Sequence, residues 1–402
     1  MNTVDGLDFQ DQAPWSARAL FRLLTRLKHG RLVLVTPEGV RRSYGSEGPE
    51  AQLRIRDWKA VGMMLRGAEV GLFEAWRDGM VQTPDMVALL RLCAANQQAL
   101  SEAFYGDALS AFLLRVAHLL RPNTRAGARR NIRAHYDLGN AFYAEWLDPG
   151  MTYSSALFAG DAKLGLDEAQ QAKYERLLEL LEVDSSHHLL EIGCGWGALA
   201  ERAAATRGCR VTGLTISRAQ LEHGHARIAA AGLQERVDLR FCDYRDAEGQ
   251  YDRIVSIEMV EAVGERYWPT YFRTLRERLK PGGRAAIQTI VIAEEAFERY
   301  RCSSDFIREY IFPGGMLPSV SRFTAEARAA GLEVRTPYLF GGDYAETVRR
   351  WRTRVLAAEP RIRALGYDDA FLAAWRFYLD YCEAGFDSGR VDVMQVELVK
   401  TA

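Results

Sequence analysis

The chain has 402 residues, of which 48% are apolar and 26% charged, with 34 Gly and 12 Pro. This length implies about two domains, and the composition excludes a disordered chain. A net charge of −1 excludes a generally basic nucleic-acid binder, and six cysteines with no C-x-x-C pair predict neither a disulfide framework nor a zinc site.

Residues 17–82 mix short strand-like stretches, Leu32 to Val35 and Leu53 to Ile55, with apolar helical patterns broken by Gly and Pro. Thr83-Pro84-Asp85 predicts a helix start with Pro84 at the first helical position, and an apolar helical pattern then runs towards Leu120 and stops at Pro122. The domain boundary is expected near residue 125. From about residue 165 the rhythm is regular: helix Ala169–Leu181, strand His188–Ile192, a glycine turn, helix Ala198–Ala205, strand Arg210–Leu214 and a helix around Gln220–Ala230. Strands Val237–Cys242 and Arg253–Ile257 follow, then a helix around Trp268–Leu279, a turn at Lys280-Pro281-Gly282-Gly283, and strand Ala285–Ile292. The alternation predicts an α/β fold: a doubly wound, mostly parallel, Rossmann-like sheet over 126–402, preceded by a smaller α+β domain over 1–125.

Charge is unevenly spread. Residues 1–135 carry 19 Lys and Arg against 13 Asp and Glu, and the remainder 33 against 40. Arg115, Arg121, Arg125, Arg129, Arg130 and Arg133 follow one another with no acid among them. Such a run is either a solvated helical face or a surface that adheres to phosphate.

Glu191-Ile192-Gly193-Cys194-Gly195-Trp196-Gly197 lies where a strand turns into a helix, and ligands of such sheets bind beyond the strands' carboxyl ends. Glycine turns of this kind also occur in dinucleotide enzymes. A NAD site, however, would place Asp or Glu at the end of the second strand, and Thr215-Ile216-Ser217 has neither. Glu191 precedes the glycines, and Asp243-Tyr244 ends the third strand, where an adenine would be met. The combination resembles the S-adenosylmethionine-dependent methyltransferase pattern.

The chain resembles the cyclopropane fatty acid synthase family, lipid methyltransferases that modify the double bonds of acyl chains. The resemblance rests on His135-Tyr136-Asp137-Leu138-Gly139-Asn140, Met151-Thr152-Tyr153-Ser154-Ser155-Ala156, Glu191–Gly197, Leu214-Thr215-Ile216-Ser217 with Gln220, and Asp243-Tyr244-Arg245-Asp246. It continues through Val260-Glu261-Ala262-Val263-Gly264, Tyr310–Gly315 and Tyr381–Phe386, and more loosely includes Gly71–Gly79. It implies that Tyr136, Tyr153, Gly193, Gly195, Trp196, Thr215, Gln220 and Ile257 line the S-adenosylmethionine pocket. It further implies a bicarbonate ion acting as base, held by Cys, Glu, His, Tyr and an amide near an Ile. Glu261 matches the Glu and Ile290 the Ile, but Ser155 stands at the Cys position, Gln288 at the His position and Arg352 at the Tyr position. Either an altered anion site remains, or Glu261 or Glu258 takes the proton directly. Cys382 matches a cysteine sometimes treated as catalytic, for which a buried structural role is expected.

An alkene is a weak nucleophile, so its methylation needs in-line alignment and a dry site. It leaves a carbocation, and the position of the base then decides between a cyclopropane ring and a methyl- or methylene-branched chain. Met151, Leu157, Phe158, Ile311, Phe312 and Met316 are expected to line an apolar slot. The implied substrate is an unsaturated phospholipid acyl chain on an anionic membrane surface, with a homodimer and a redox partner as further possibilities and no nucleic acid. No apolar run reaches the ~18–20 residues that cross a bilayer, and Asp5, Asp8 and Asp11 do not suit a secretory leader, so a cytoplasmic, peripherally membrane-bound enzyme is expected. The rival readings are a methyltransferase for small molecules or nucleic acid, and a degenerate methyltransferase serving as a lipid-binding scaffold.

Overall fold

The structure, a computed structural model, describes residues 14–96, 138–161 and 163–401. The boundary expected at residue 125, the arginine run at 115–133 and Tyr136 lie outside these residues. The N-terminal part begins with helix α1 (Trp15–Leu24) and a sheet of β1 (Arg31–Val35), β2 (Arg41–Gly45), β3 (Glu50–Ile55) and β4 (Val81–Gln82), in the order β2-β1-β3-β4. Strand β2 carried no apolar signal because Arg41-Arg42-Ser43-Tyr44-Gly45 is an edge with alternating exposed positions. Helix α2 (Lys59–Arg77) is followed by α3 (Met86–Ala95). Asp85, rather than Pro84, marks the start of α3, because its side chain accepts a hydrogen bond from Ala88 N at 3.0 Å and so caps the helix.

The C-terminal part contains α4 (Asn140–Ala144), α5 (Leu166–Leu180), β5 (His188–Ile192), α6 (Ala198–Arg207), β6 (Arg210–Thr215), α7 (Arg218–Ala230), β7 (Val237–Phe241) and β8 (Tyr251–Ile257). Then come α8 (Val260–Val263), α9 (Trp268–Arg278), β9 (Leu279–Ile292), α10 (Glu294–Arg301), α11 (Val320–Ala329), β10 (Leu332–Val334) and β11 (Tyr338–Leu339). Helices α12 (Gly341–Ala364) and α13 (Asp369–Asp387) lead into the last strand, β12 (Val391–Lys400). The eight-stranded sheet runs β10-β12-β9-β8-β5-β6-β7, with β11 also on β12. Strands β5 to β9 pair in parallel, while β12 lies antiparallel on β9 and carries β10 and β11 antiparallel. This is the α/β, mostly parallel sheet expected, with a smaller N-terminal α+β part.

Burial explains the order of the strands. The central β5 and β6 are unbroken buried runs, as a parallel sheet covered on both faces requires. One face packs Leu190, Ile192 and Ile287 under α9, and the other packs Leu189, Val211 and Val255 under α5, α6 and α7. Lys280–Gly283, expected as a turn, falls inside β9, where register with β8 shifts between Tyr251 and Arg253 and resumes at Arg253–Arg284. The extra residues form a bulge instead of ending the strand. A third core joins Leu34, Phe73 and Leu90 of the N-terminal part to Trp146, Trp351 and Phe377, so α12 and α13 bridge the two parts.

Candidate active site

Beyond the carboxyl ends of β5 to β9 lies a cavity of about 860 Å³. Gly193, Cys194, Gly195 and Trp196 form one wall, pinned because Gly193 N and Cys194 N both donate to the Leu214 carbonyl, at 3.0 and 2.9 Å. Gly213 in β6 permits this approach: a Cβ there would lie 2.5 Å from a Leu239 methyl and 3.0 Å from Cys194 Cβ. The Trp196 indole donates to Asn140 Oδ1 at 2.8 Å, tying the turn to α4. Thr215, Gln220 and Ile257 line the cavity, and Thr215 Oγ1 donates to Gln220 Oε1 at 2.8 Å. Tyr153 lines it too; its hydroxyl meets that of Tyr378 at 2.8 Å and its ring packs between Trp146 and Trp351.

Other expected residues are differently employed. Gly197 starts α6 at φ 83° and Ser217 caps α7 by accepting from Gln220 N at 3.3 Å; neither is among the cavity-lining residues. Asp243 and Tyr244 line the cavity, but Asp243 is gripped by the guanidinium of Arg245 in two hydrogen bonds of 2.8 and 2.6 Å. A bidentate ion pair therefore stands where a carboxylate facing an adenine was expected. In the expected apolar slot, Met151, Phe312 and Met316 line the cavity, whereas Leu157, Phe158 and Ile311 are buried in the core.

A carboxyl cluster occupies the turn after β8. Glu258 Oε1 accepts from Ser155 N and Gln288 Nε2, each at 2.8 Å, and Oε2 accepts from the Tyr344 hydroxyl at 2.5 Å. Glu261 Oε1 accepts from Ile290 N, while its buried Oε2 has no hydrogen-bond partner. Burial, reinforced by the neighbouring Glu258 charge, pushes Glu261 up to about 8. Burial also pushes Glu191 up to about 8, against the pull of Lys173. The hydroxyl of Ser155 donates to the Ala156 carbonyl at 3.0 Å. The donors expected to hold bicarbonate therefore already bond the chain's own oxygens, and the residues present do not fit a free ion in that cradle.

Arg352 is a correction. It donates to Asp380 at 3.1 Å and forms an ion pair with Glu383 at 3.3 Å, both on α13, and is not a lining residue. The tyrosine at the cluster is Tyr344, two turns earlier on α12. Cys382 lines the cavity, but burial pushes its thiol far up, which makes it a poor nucleophile.

Two participants escaped the sequence reading: Tyr344, and the fully buried Lys173, whose Nζ donates to Ser154 Oγ at 2.7 Å. Burial pushes Lys173 down to about 7, opposed by Glu258, Asp148 and Glu191. Its signal was periodicity, since Leu166, Ala169, Gln170, Lys173, Tyr174 and Leu177 form the buried stripe of α5.

This acid-lined cavity suits a cation better than an anion. The doubly wound sheet, the glycine turn after β5 and the absence of an acid at the end of β6 define an S-adenosylmethionine-dependent methyltransferase. The chain belongs to the mycolic acid cyclopropane synthetase family, whose model matches residues 123–396. It is 38% identical to tuberculostearic acid methyltransferase UfaA1 of Mycobacterium tuberculosis, over 96% of this chain and 92% of that protein. It is 34% identical to the cyclopropane-fatty-acyl-phospholipid synthase of Escherichia coli K12, over 86% and 87%. Among solved structures, mycolic acid cyclopropane synthase CmaA1 complexed with SAH and CTAB superposes with a TM-score of 0.64 and 31% identity, over 68% of this chain and 98% of that one. The protein is thus a lipid methyltransferase with S-adenosylmethionine as co-substrate.

The acidic cavity has a consequence for binding. A sulfonium held against the glycine turn would favour the ionised form of Glu191, which leads into that turn, so below pH 8 binding should release a proton, and affinity for S-adenosylmethionine should rise with pH by up to about tenfold per unit before levelling off above 8. S-adenosylhomocysteine, a neutral thioether, should show a flatter profile. Calorimetry of both ligands from pH 6 to 9 measures the difference, and parallel profiles would show that no cavity carboxyl ionises against the sulfonium.

Proposed function

We propose that this enzyme methylates the double bond of an unsaturated fatty acyl chain carried by a phospholipid, through a carbocation whose proton loss yields a cyclopropane or a methyl- or methylene-branched chain. One observation carries the reading: a single cavity is lined by the glycine turn, by Glu258 and Glu261, and by apolar Ile290, Ile307, Phe312, Met316 and Val348. Tyr153, Gly193, Gly195, Trp196, Thr215, Gln220, Asp243, Tyr244 and Ile257 would hold the co-substrate, which supplies an electrophilic methyl group. Tyr153, Tyr344 and Tyr378 also line the cavity, and aromatic rings near the cation that forms would stabilise it. Each CH₂ buried in the apolar arm stabilises the bound chain by ~0.8 kcal/mol.

Access to such a substrate requires contact with a membrane. Among the described residues no helix is long and apolar enough to cross one. Peripheral binding at the cytoplasmic face through the basic N-terminal part is the accompanying proposal, at ~1 kcal/mol per Lys or Arg close to an anionic surface. A homodimer, and a reductase acting on a methylene product, also belong to the proposal.

The experiment is expression in cells that contain unsaturated phospholipids and no cyclopropane synthase, followed by acyl-chain analysis. The expected result is acyl chains heavier by one CH₂, with hydrogenation and upfield ring-proton NMR separating methylene from ring. Unchanged acyl chains alongside a folded, S-adenosylmethionine-binding protein would remove the phospholipid acyl chain as substrate.

A further inference from the structure

We propose that the side chain of Glu258 is itself the base of this active site, a built-in carboxylate that takes the proton from the methylated acyl cation with no free anion present. The inference rests on the acyl-methylation reading above and assigns its proton-transfer step.

The first ground is the number of donors. Glu258 receives hydrogen bonds from a backbone amide, a carboxamide and a phenol, whereas Glu261 receives the Ile290 amide and has one oxygen unpartnered. Of two carboxyl groups three residues apart, the negative charge settles where the donors are. Burial pushes both carboxyls up, but the three donors and Lys173 pull Glu258 back, whereas the Glu258 charge pushes Glu261 further up, so Glu261 remains the protonated neighbour near neutral pH.

The second ground is polarity fixed from a distance. Arg176 can only donate, and it donates to Gln395 Oε1 at 2.7 Å. The Gln395 amide must therefore turn its NH₂ to Gln288 Oε1, at 2.9 Å, and Gln288 in turn must aim its NH₂ at Glu258. The chain of amides orients donors towards Glu258 and supplies no acceptor there, so it favours an anion at that spot.

The third ground is the backbone. Glu258 has φ 49°, in the left-handed region that glycine adopts freely and that costs a residue with a Cβ roughly 1–3 kcal/mol. A glycine would form this turn without strain. The carboxylate is what the strained residue adds, and it lines the cavity.

The step balances without another reactant. The alkene π pair forms the bond to the methyl carbon as the S–CH₃ bond breaks, and its electron pair leaves with S-adenosylhomocysteine. A C–H bond next to the cationic carbon, or on the new methyl group, then breaks. Its pair forms a C=C or ring C–C bond, and the proton goes to a Glu258 oxygen.

The test uses the full-length protein with unsaturated phospholipid vesicles, following S-adenosylhomocysteine release in buffer stripped of carbon dioxide. Wild-type kcat is expected to be unchanged, within about twofold, when bicarbonate is removed or restored. Glu258→Gln should lower kcat by about 10²–10⁴-fold while S-adenosylmethionine affinity stays within a few-fold. Glu258→Gly, which suits φ 49°, should keep the fold, lose activity to the same degree and regain at least about tenfold with added formate or bicarbonate. A wild-type kcat that falls without bicarbonate, a Glu258→Gln enzyme that keeps its rate, or a folded Glu258→Gly protein that no small anion rescues would each overturn the assignment. Absence of S-adenosylhomocysteine release from the wild type under every condition would instead count against the acyl-methylation reading.

Discussion

Replacing Gly193 by valine is expected to weaken S-adenosylmethionine binding by at least about 100-fold while the protein still folds. Gly193 has φ 85°, where an L side chain is strained by roughly 1–2 kcal/mol. A Cβ there would stand 3.2 Å from Met259 Cγ, and the valine methyls would extend further towards the residues around Met259 that carry the carboxyl cluster. The two amides that pin the turn to Leu214 set where the backbone meets the ligand, so a shift of a few tenths of an ångström is transmitted to the whole binding edge. Calorimetry measures the affinity and thermal melting the fold. A valine variant that binds within threefold of wild type would mean that the co-substrate does not lie against this turn.

Exchanging Lys173 for methionine keeps the volume, and the effect should appear in the pH profile rather than as a large loss of stability, because burial already leaves this amine only about half charged at pH 7. Ser154 Oγ loses its donor, and Asp148, Glu191 and Glu258 lose the charge that favours their ionised forms. Without the cation the carboxyl that must be ionised for catalysis titrates higher, so the acid limb of kcat moves to higher pH and activity at pH 7 falls. Denaturant melts at pH 7 and a kcat profile from pH 6 to 9 test both parts. A variant with an unmoved acid limb would show that Lys173 only fills space. Arginine is no conservative replacement, since its larger fork has no room beside Tyr174, whose ring lies 4.5 Å from Nζ.

The tyrosine at the carboxyl cluster shows how sequence matching slips on a helix. Tyr344 and Arg352 are eight residues apart, a little over two turns, so they lie close to the same face of α12 but about 12 Å apart along it. A motif placed by chain order alone can fall on either. Only the packing of α12 against the sheet brings Tyr344 to Glu258 and leaves Arg352 to the acids of α13. Lys173 was obscured for a similar reason: a lysine on an apolar stripe has no stated partner until Met151–Ala156 folds over α5 and presents Ser154 to it.

What the residues determined by themselves was local. The alternation of apolar strands and amphipathic helices set the doubly wound sheet, and the glycines of 193–197 with the missing acid at 215–217 set the kind of co-substrate, because these properties depend on neighbours within a few positions. What only the tertiary structure decided was the identity of the acid–base groups. Glu258 gathers donors from positions 155, 288 and 344, up to 103 residues away in the chain, and its charge state depends on burial and on Lys173 and Glu261, which spacing does not encode. Desolvation and hydrogen-bond donors set a carboxyl's proton affinity, and both arise only when the chain has closed around it.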